Sequence, residues 1–339
     1  MKSVDWTEEE ARCFLEGMQT VATLRGSRPL QAPASEMLDS VARHVLHTDI
    51  DTSSLQECSP DDFARKIQAP RRRTEFVQFL VLMPYLDMQV DADQVAIVDE
   101  IARALGVETQ TLVDLHRVRD DRLKRLLLDY GRRSFSEYAG AEGPWQQLKA
   151  VTETIRQYVG DSNVADRYGA LESYPDESLG RVLFHFYRER GFPLPGEKKS
   201  FSELLIPHDC CHILSGFNTD MNGEMNVAGF EAGLFENGFG FELLLEVILD
   251  FHLGKTFTTA GLLPPGTGHF DPEGVAVGYE RGAACSVNLI GDWDFWEVAD
   301  QSVAQLRKRY GIPEIPGPIL LPPPQTMDAP PQHDHEHKA

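Results

Sequence analysis

The stretch PHDCCHILSGFNTDMNGE, residues 207–224, concentrates the residue types best able to bind a divalent cation. His208 and His212 stand four apart, Asp209 follows the first, and Glu224 lies twelve residues beyond the second. Four-residue spacing puts both imidazoles on one helical face, one turn apart. Pro207 suits the first turn of such a helix, where its missing N–H costs nothing. Gly216 and Asn218 suit its end. GEMNVAGFEAGLF (223–235) reads as a second helix starting near Glu224. Two imidazoles and a carboxylate from two antiparallel helices make three metal ligands with room for a fourth. Asp209 is assigned as that fourth ligand and the candidate catalytic carboxylate, or as the group that orients an imidazole from behind. The plainer alternative, two helix histidines and two acids without a metal, stays open on the spacing alone.

The surrounding elements read as helices. DADQVAIVDEIARALGV (91–107) places Val95, Val98, Ala102 and Leu105 on one face, and SEMLDSVARHVL (35–46) does the same with Leu38, Val41, Ala42 and Val45. Each follows another apolar segment, GMQTVATL (17–24) or FLVLMPYL (79–86). LDSVAR (38–43) aligns with VDEIAR (98–103), so a duplicated helix pair within one helical domain is expected. FSEYAGAEGPW (135–145) reads as a connection, and QQLKAVTETIRQYV (146–159) and ESLGRVLFHFYRERG (177–191) as further helices. FGFELLLEVILDFHLG (239–254) is the most hydrophobic stretch. Its Glu242, Glu246 and Asp250 are four apart and predict one wet stripe on a core helix, and three acids exclude a membrane span. From its apolar surface, Phe241, Leu245 and Ile248 are assigned as candidates to line a channel for a lipid tail. His252 reads as a surface or capping residue, and DWDFW (292–296) as a packed aromatic turn.

A chain of 339 residues with 42% apolar composition can bury two ordinary cores. Its net charge of −21 gives no electrostatic footprint for nucleic acid and is repelled by anionic membranes. Five cysteines, an odd number with no CxxC pair, fit a reducing compartment rather than a disulfide framework. The start, MKSVDWTEEEAR, lacks the apolar region of a signal peptide. No uncharged run reaches the roughly 18 residues of a membrane helix. A soluble cytoplasmic protein is therefore expected. Peripheral contact with the inner membrane face, made by apolar surface, and homo-oligomer formation both stay open. No GxxxxGK or GxGxxG occurs, so nucleotide binding is unsupported. Beyond about residue 315 the chain is proline-rich, expected to be extended and disordered, and carries HDHEH (333–337).

HDxxH, then eleven residues, then a glutamate preceded by glycine resembles the motif of the coenzyme Q (ubiquinone) biosynthesis protein 4 family. YGALESYPDESLGRVLFHFYRERGF (168–192) resembles that family's entry segment. YERGAACSVNLIGDWDFWEVADQSVAQLRKRYGIP (279–313) resembles its closing segment, which ends in Arg-x-x-x-Gly-Ile. The likeness spans about 166–313. Two departures mark a divergent branch: SELLIP (202–207) replaces an arginine- and tyrosine-rich run, and Cys210 and Cys211 replace aromatics. The resemblance implies a mostly helical domain holding a zinc-type ion, with His208, Asp209, His212 and Glu224 as ligands, beside a hydrophobic cavity. It also implies chemistry on a prenylated benzoate ring, loss of the carboxyl group with hydroxylation at the same carbon. In the N-terminal part, MPYLDMQVDADQVAIVDEIARALGV (83–107) resembles the tellurite-resistance TerB family, whose acidic loops bind divalent cations; Asp87, Asp91 and Asp93 occupy the corresponding loop. The alternative for those three acids is an ordinary solvated loop and helix cap.

Three rival readings are weighed. A metal-dependent hydrolase of HD type would use His185 upstream of His208 and Asp209, but it leaves His212 and Glu224 without a role. An HExxH-like protease would need Asp209 in place of the longer glutamate. A non-enzymatic lipid-binding scaffold with structural zinc would show a closed four-ligand shell. The expectation is an all-α protein. A TerB-like helical bundle spans 1–135, a connection 136–165, a ubiquinone-biosynthesis-type metal domain 166–315, and a Pro/His-rich tail 316–339. It would bind zinc and a hydrophobic quinone-like or other lipid ligand, with no nucleic acid as partner.

Overall fold

The computed structural model describes residues 5–139, 160–236, 238–255, 267–291 and 293–323. Among them stand fourteen α-helices and no strand, as the all-α expectation requires. They are α1 (Glu8–Ala22), α2 (Ala34–His44), α3 (Pro60–Lys66), α4 (Pro70–Leu86), α5 (Ala92–Leu105), α6 (Gln110–Arg119) and α7 (Leu123–Ala139) in the N-terminal half. The C-terminal half holds α8 (Ser162–Gly169), α9 (Leu179–Glu189), α10 (Ile206–Ser215), α11 (Met221–Leu234), α12 (Phe239–Phe251), α13 (Pro272–Ala284) and α14 (Val303–Tyr310). The expected helix over 146–159 and most of the expected connection lie outside the described residues.

Local signals explain most of the boundaries. Thr7 and Glu10 close a capping box on α1, and Ser59 and Asp62 do so on α3. Asp91 caps α5 by accepting from the backbone N–H groups of Asp93 and Gln94. Val95, Val98, Ala102 and Leu105 of α5 are buried as their spacing predicts, and so are Leu38, Val41 and Ala42 of α2. Two of the three acids at 87–93 have ordinary partners: Asp87 pairs with Arg28 at 2.8 Å, and Asp91 is the helix cap. No three-ligand group forms there among the described residues.

The two halves share one hydrophobic core. Phe79 of α4 meets Phe241 of α12 and Tyr279 of α13 edge-on, at 5.3 and 5.1 Å between ring centres. His44, at the end of α2, lies between Glu273 and Glu280 of α13, 2.9 Å from each. Arg133 of α7 donates to Glu242 of α12 and to Asp114 of α6, both at 2.7 Å. This last contact corrects the expected wet stripe. Glu242, 9% exposed, faces that cation, Asp250 is 4% exposed, and Glu246 between them is half-buried. His252 is likewise buried rather than on the surface. It caps α12, and its Nε2 donates to the Leu86 carbonyl at 3.1 Å.

Behind the candidate metal residues, α11 crosses α13 with almost no side chain between them. Gly229 and Gly233 of α11 face Gly278 and Gly282 of α13, and a Cβ at any of the four would overlap backbone of the other helix. Small residues spaced four apart on both helices allow this close approach, as they do wherever helix backbones pack directly. The beginning of the expected tail is also placed. The Leu321 carbonyl accepts from Arg190 and the Pro322 carbonyl from Asn218, each at 3.0 Å. These contacts hold residues up to 323 against the protein, while 324–339, with HDHEH, lie outside the described residues.

Candidate metal centre

The helix α10 forms as its sequence predicts. Pro207 lies in its first turn, and Gly216 ends it with φ +75°, a left-handed conformation that a residue with a side chain rarely adopts. The last carbonyls of α10 take guanidinium donors instead of water. Arg307 of α14 reaches Leu214 O at 3.0 Å and Ile213 O at 2.7 Å, and Arg281 of α13 reaches Ser215 O at 2.6 Å. Cations at a helix C-terminus complement its dipole. Burial, with Arg281 nearby, brings the Arg307 pKa down to about 10. The next helix starts at Met221 rather than at Glu224, because Asp220 caps it by accepting from Gly223 N at 2.7 Å. That places Glu224 in the first turn of α11, facing α10.

His208, His212 and Glu224 converge. The two Nε2 atoms are 3.3 Å apart, and each lies 3.4 Å from an oxygen of Glu224. They are the one group of this kind among the described residues. Zinc bonds of about 2.0–2.1 Å in a tetrahedron put ligand atoms roughly 3.3–3.4 Å apart, so these donors already have the spacing that such an ion needs. Without a metal the same 3.3 Å would be an N–H to N hydrogen bond between the two rings. His212 is 1% exposed in its side chain, Glu224 16% and His208 24%, so one side of the cluster reaches solvent.

The sequence reading missed Glu231. It lies two turns after Glu224 on the same face of α11, is 3% exposed, and accepts from His208 Nδ1 at 2.8 Å. A carboxylate behind a histidine fixes its tautomer and leaves Nε2 free for a metal. The seven-residue spacing from Glu224 was the signal that could have found it. His212 Nδ1 is buried with no hydrogen-bond partner. Burial disfavours charge on His208, yet Glu231 and Glu224 override it and hold the imidazole pKa well above its ordinary value. Burial opposes the charge on Glu224 as well, but His212 and His208 keep its pKa far below the usual carboxylate range.

Asp209 stands outside the three converging groups. Its carboxylate accepts a short hydrogen bond from the Tyr187 hydroxyl of α9, and burial raises its pKa. Burial also pushes both the Cys210 and the Cys211 thiols well up, and both residues are fully buried. Arg190 lies over the Phe186 ring at 4.3 Å, and Phe186 in turn packs against the His212 ring at 5.8 Å. His185 of α9 is half-buried and outside the cluster. On α12, Glu246 looks toward this site. Burial first, then Asp250 and Glu231, carry its pKa up to about 8. The candidate lipid-facing residues Leu245 and Ile248 are core residues, 4% and 0% exposed, while Phe241 lines a cavity of about 310 Å³ elsewhere. In the described part of DWDFW, residues 293–296, the aromatic side chains pack as expected: Trp296 on Tyr168, while Trp293 donates to the Tyr310 hydroxyl at 2.9 Å.

No protein-family model matches this chain, and no curated protein matches it at a significant level. Among solved structures, the chain is similar to a protein from Nostoc punctiforme PCC 73102 that is provisionally assigned to ubiquinone biosynthesis. That pair is 17% identical, the alignment covers 69% of this chain and 97% of the other, and the TM-score is 0.30. A likeness at that level carries no argument about activity. No helix among the described residues is long and apolar enough to cross a membrane.

Proposed function

We propose that this protein binds one divalent metal ion, of zinc type, through His208, His212 and Glu224, and uses it on a prenylated aromatic carboxylate or a related lipid-like molecule. The observation that carries the metal is the spacing of the three donor atoms, 3.3–3.4 Å, offered by two helices. The quinone-precursor substrate rests on the resemblance of residues 166–313 to the ubiquinone biosynthesis protein 4 family. Three ligands and a solvent-facing side favour an open coordination position over a closed structural shell. A bound divalent ion would supply Lewis acidity, neutralising a carboxylate and charge that develops on a neighbouring phenolate.

The chain's own residues have separate tasks in this reading. Glu231 holds the His208 ring with Nε2 inward. Arg307 and Arg281 anchor the end of α10 and so fix where His212 stands. Tyr187 keeps Asp209 turned toward α9, where it is placed to act as orienter or as a fourth ligand after a change of rotamer. The test is elemental analysis together with mass spectrometry of co-purifying lipid, for wild type and His212→Ala. About one metal per chain in wild type, lost in the variant, together with a prenylated aromatic in the extract, supports the reading. Stoichiometric metal with no lipid points to the hydrolase instead, and wild type that takes up no zinc overturns the site.

A further inference from the structure

The cavity of about 310 Å³ lies between α2 and α4 on one side and α11, α12 and α13 on the other. It is remote from the metal residues: Glu224 is in the first turn of α11 and Phe235 at its far end, about 16 Å away at 1.5 Å per residue. Val45, Phe235, Phe241 and Ala283 give it an apolar wall, and polar side chains make up the rest of its lining. Gln78 also faces this space and is 3% exposed. Its Oε1 accepts from Thr111 Oγ1 at 2.6 Å, which fixes the amide and leaves its Nε2 on the other side. That nitrogen points toward Gly238, which lines the same cavity and has no side chain to fill it. An amide N–H held facing a cavity is a ready donor to a ligand oxygen. At the rim, Arg71 is exposed and makes no ion pair among the described residues. The acids nearby are mostly committed. Glu75 accepts from the Tyr279 hydroxyl at 2.7 Å, Glu280 faces His44 at 2.9 Å and His47 at 3.7 Å, and Glu236 is exposed.

We infer that this cavity binds a small amphipathic acid with a carbonyl oxygen between an apolar body and a carboxylate, such as an acylated amino acid or a keto acid. The carbonyl accepts from Gln78, the carboxylate lies at Arg71, and the body packs on Phe235 and Phe241. An apolar wall beside placed polar groups is what orients a small molecule in its site. Calorimetric titration of the full chain with hippurate tests it, with hippuramide as the uncharged probe and 4-phenylbutyrate as the probe without the carbonyl. Hippurate is expected to bind saturably and about tenfold more tightly than either, and Arg71→Ala removes the gap between hippurate and hippuramide. Ala283→Leu, which fills the cavity, weakens all three; unchanged melting shows that each variant folds. His212→Ala leaves hippurate binding as it was, so this site stands or falls apart from the metal. No saturable binding at millimolar hippurate, equal binding of hippurate and hippuramide, or no effect of Arg71→Ala overturns the inference.

Discussion

The His208 cluster and the His44 cluster draw on one inventory. Each has two histidines close in sequence and two glutamates seven residues apart on a facing helix: Glu224 and Glu231 on α11, Glu273 and Glu280 on α13. In the first, both histidines lie inside α10, and their Nε2 atoms meet at 3.3 Å. In the second, α2 ends at His44, and His47 stands beyond it with φ +49°. His44 therefore uses both ring nitrogens on the two glutamates, and His47 is left 3.7 Å from Glu280 and 54% exposed. The first arrangement gathers lone pairs at one point, as a metal requires; the second spends them on holding two halves together. The residue types do not decide between a ligand set and a latch. The end of the helix does.

Both glutamate pairs ride on the α11–α13 crossing, so Gly282→Val is the harshest way to break the comparison. The side chain must displace backbone at Phe230, and urea denaturation is expected to show a loss on the order of 3 kcal/mol, with zinc binding lost in parallel. Glu224→Ala separates the clusters. Zinc affinity, followed by competition with a chromophoric chelator, falls more than about 100-fold, whereas His47→Ala leaves it unchanged; equal losses in both would erase the distinction drawn here. Glu231→Gln sharpens it further, lowering zinc affinity by roughly 10- to 100-fold while all three ligands remain.

A pH experiment singles out the metal side of the molecule. The folded protein holds a proton on Glu246 up to about pH 8, while the unfolded chain releases it near an ordinary carboxylate value of about 4.3. The folded state binds more protons in that window, so stability falls as pH rises through it. Between pH 6 and 9 the metal-free wild type is expected to lose on the order of 1 kcal/mol more than Glu246→Gln, after allowance for solvent screening. Parallel melting curves for the two would refute this. The mildest change is His44→Ala, about 0.5 kcal/mol of stability, with metal content intact.

How much of this was legible in the sequence differed with range. The helix α10, its glycine stop and the meeting of His208, His212 and Glu224 rest on spacings within one or two turns, and a period of 3.6 residues reports those directly. Asp220 was overlooked as a cap, which shifted the expected start of α11 by three residues. Glu231 was hidden because it reads as one polar residue in an apolar helix until His208 is seen against it. The acidic face of α12 was correctly found as a stripe but placed in water, since periodicity tells which residues share a face and not what covers it. The partner of Glu242 on that face, Arg133, comes from more than 100 residues earlier. The core shared by the two halves depends on contacts of the same long range and left no local trace.

Cys210 and Cys211 sit between the two metal histidines, fully buried and with thiols held protonated. A modifying reagent needs the thiolate and a path to it, so neither sulfur reacts while α10 stays docked. The neighbouring pair thus works as a clock for the opening of that helix. The rate at which both are labelled counts how often the ligand helix leaves its seat, and slower labelling on adding zinc would express the grip of the ion in units of time.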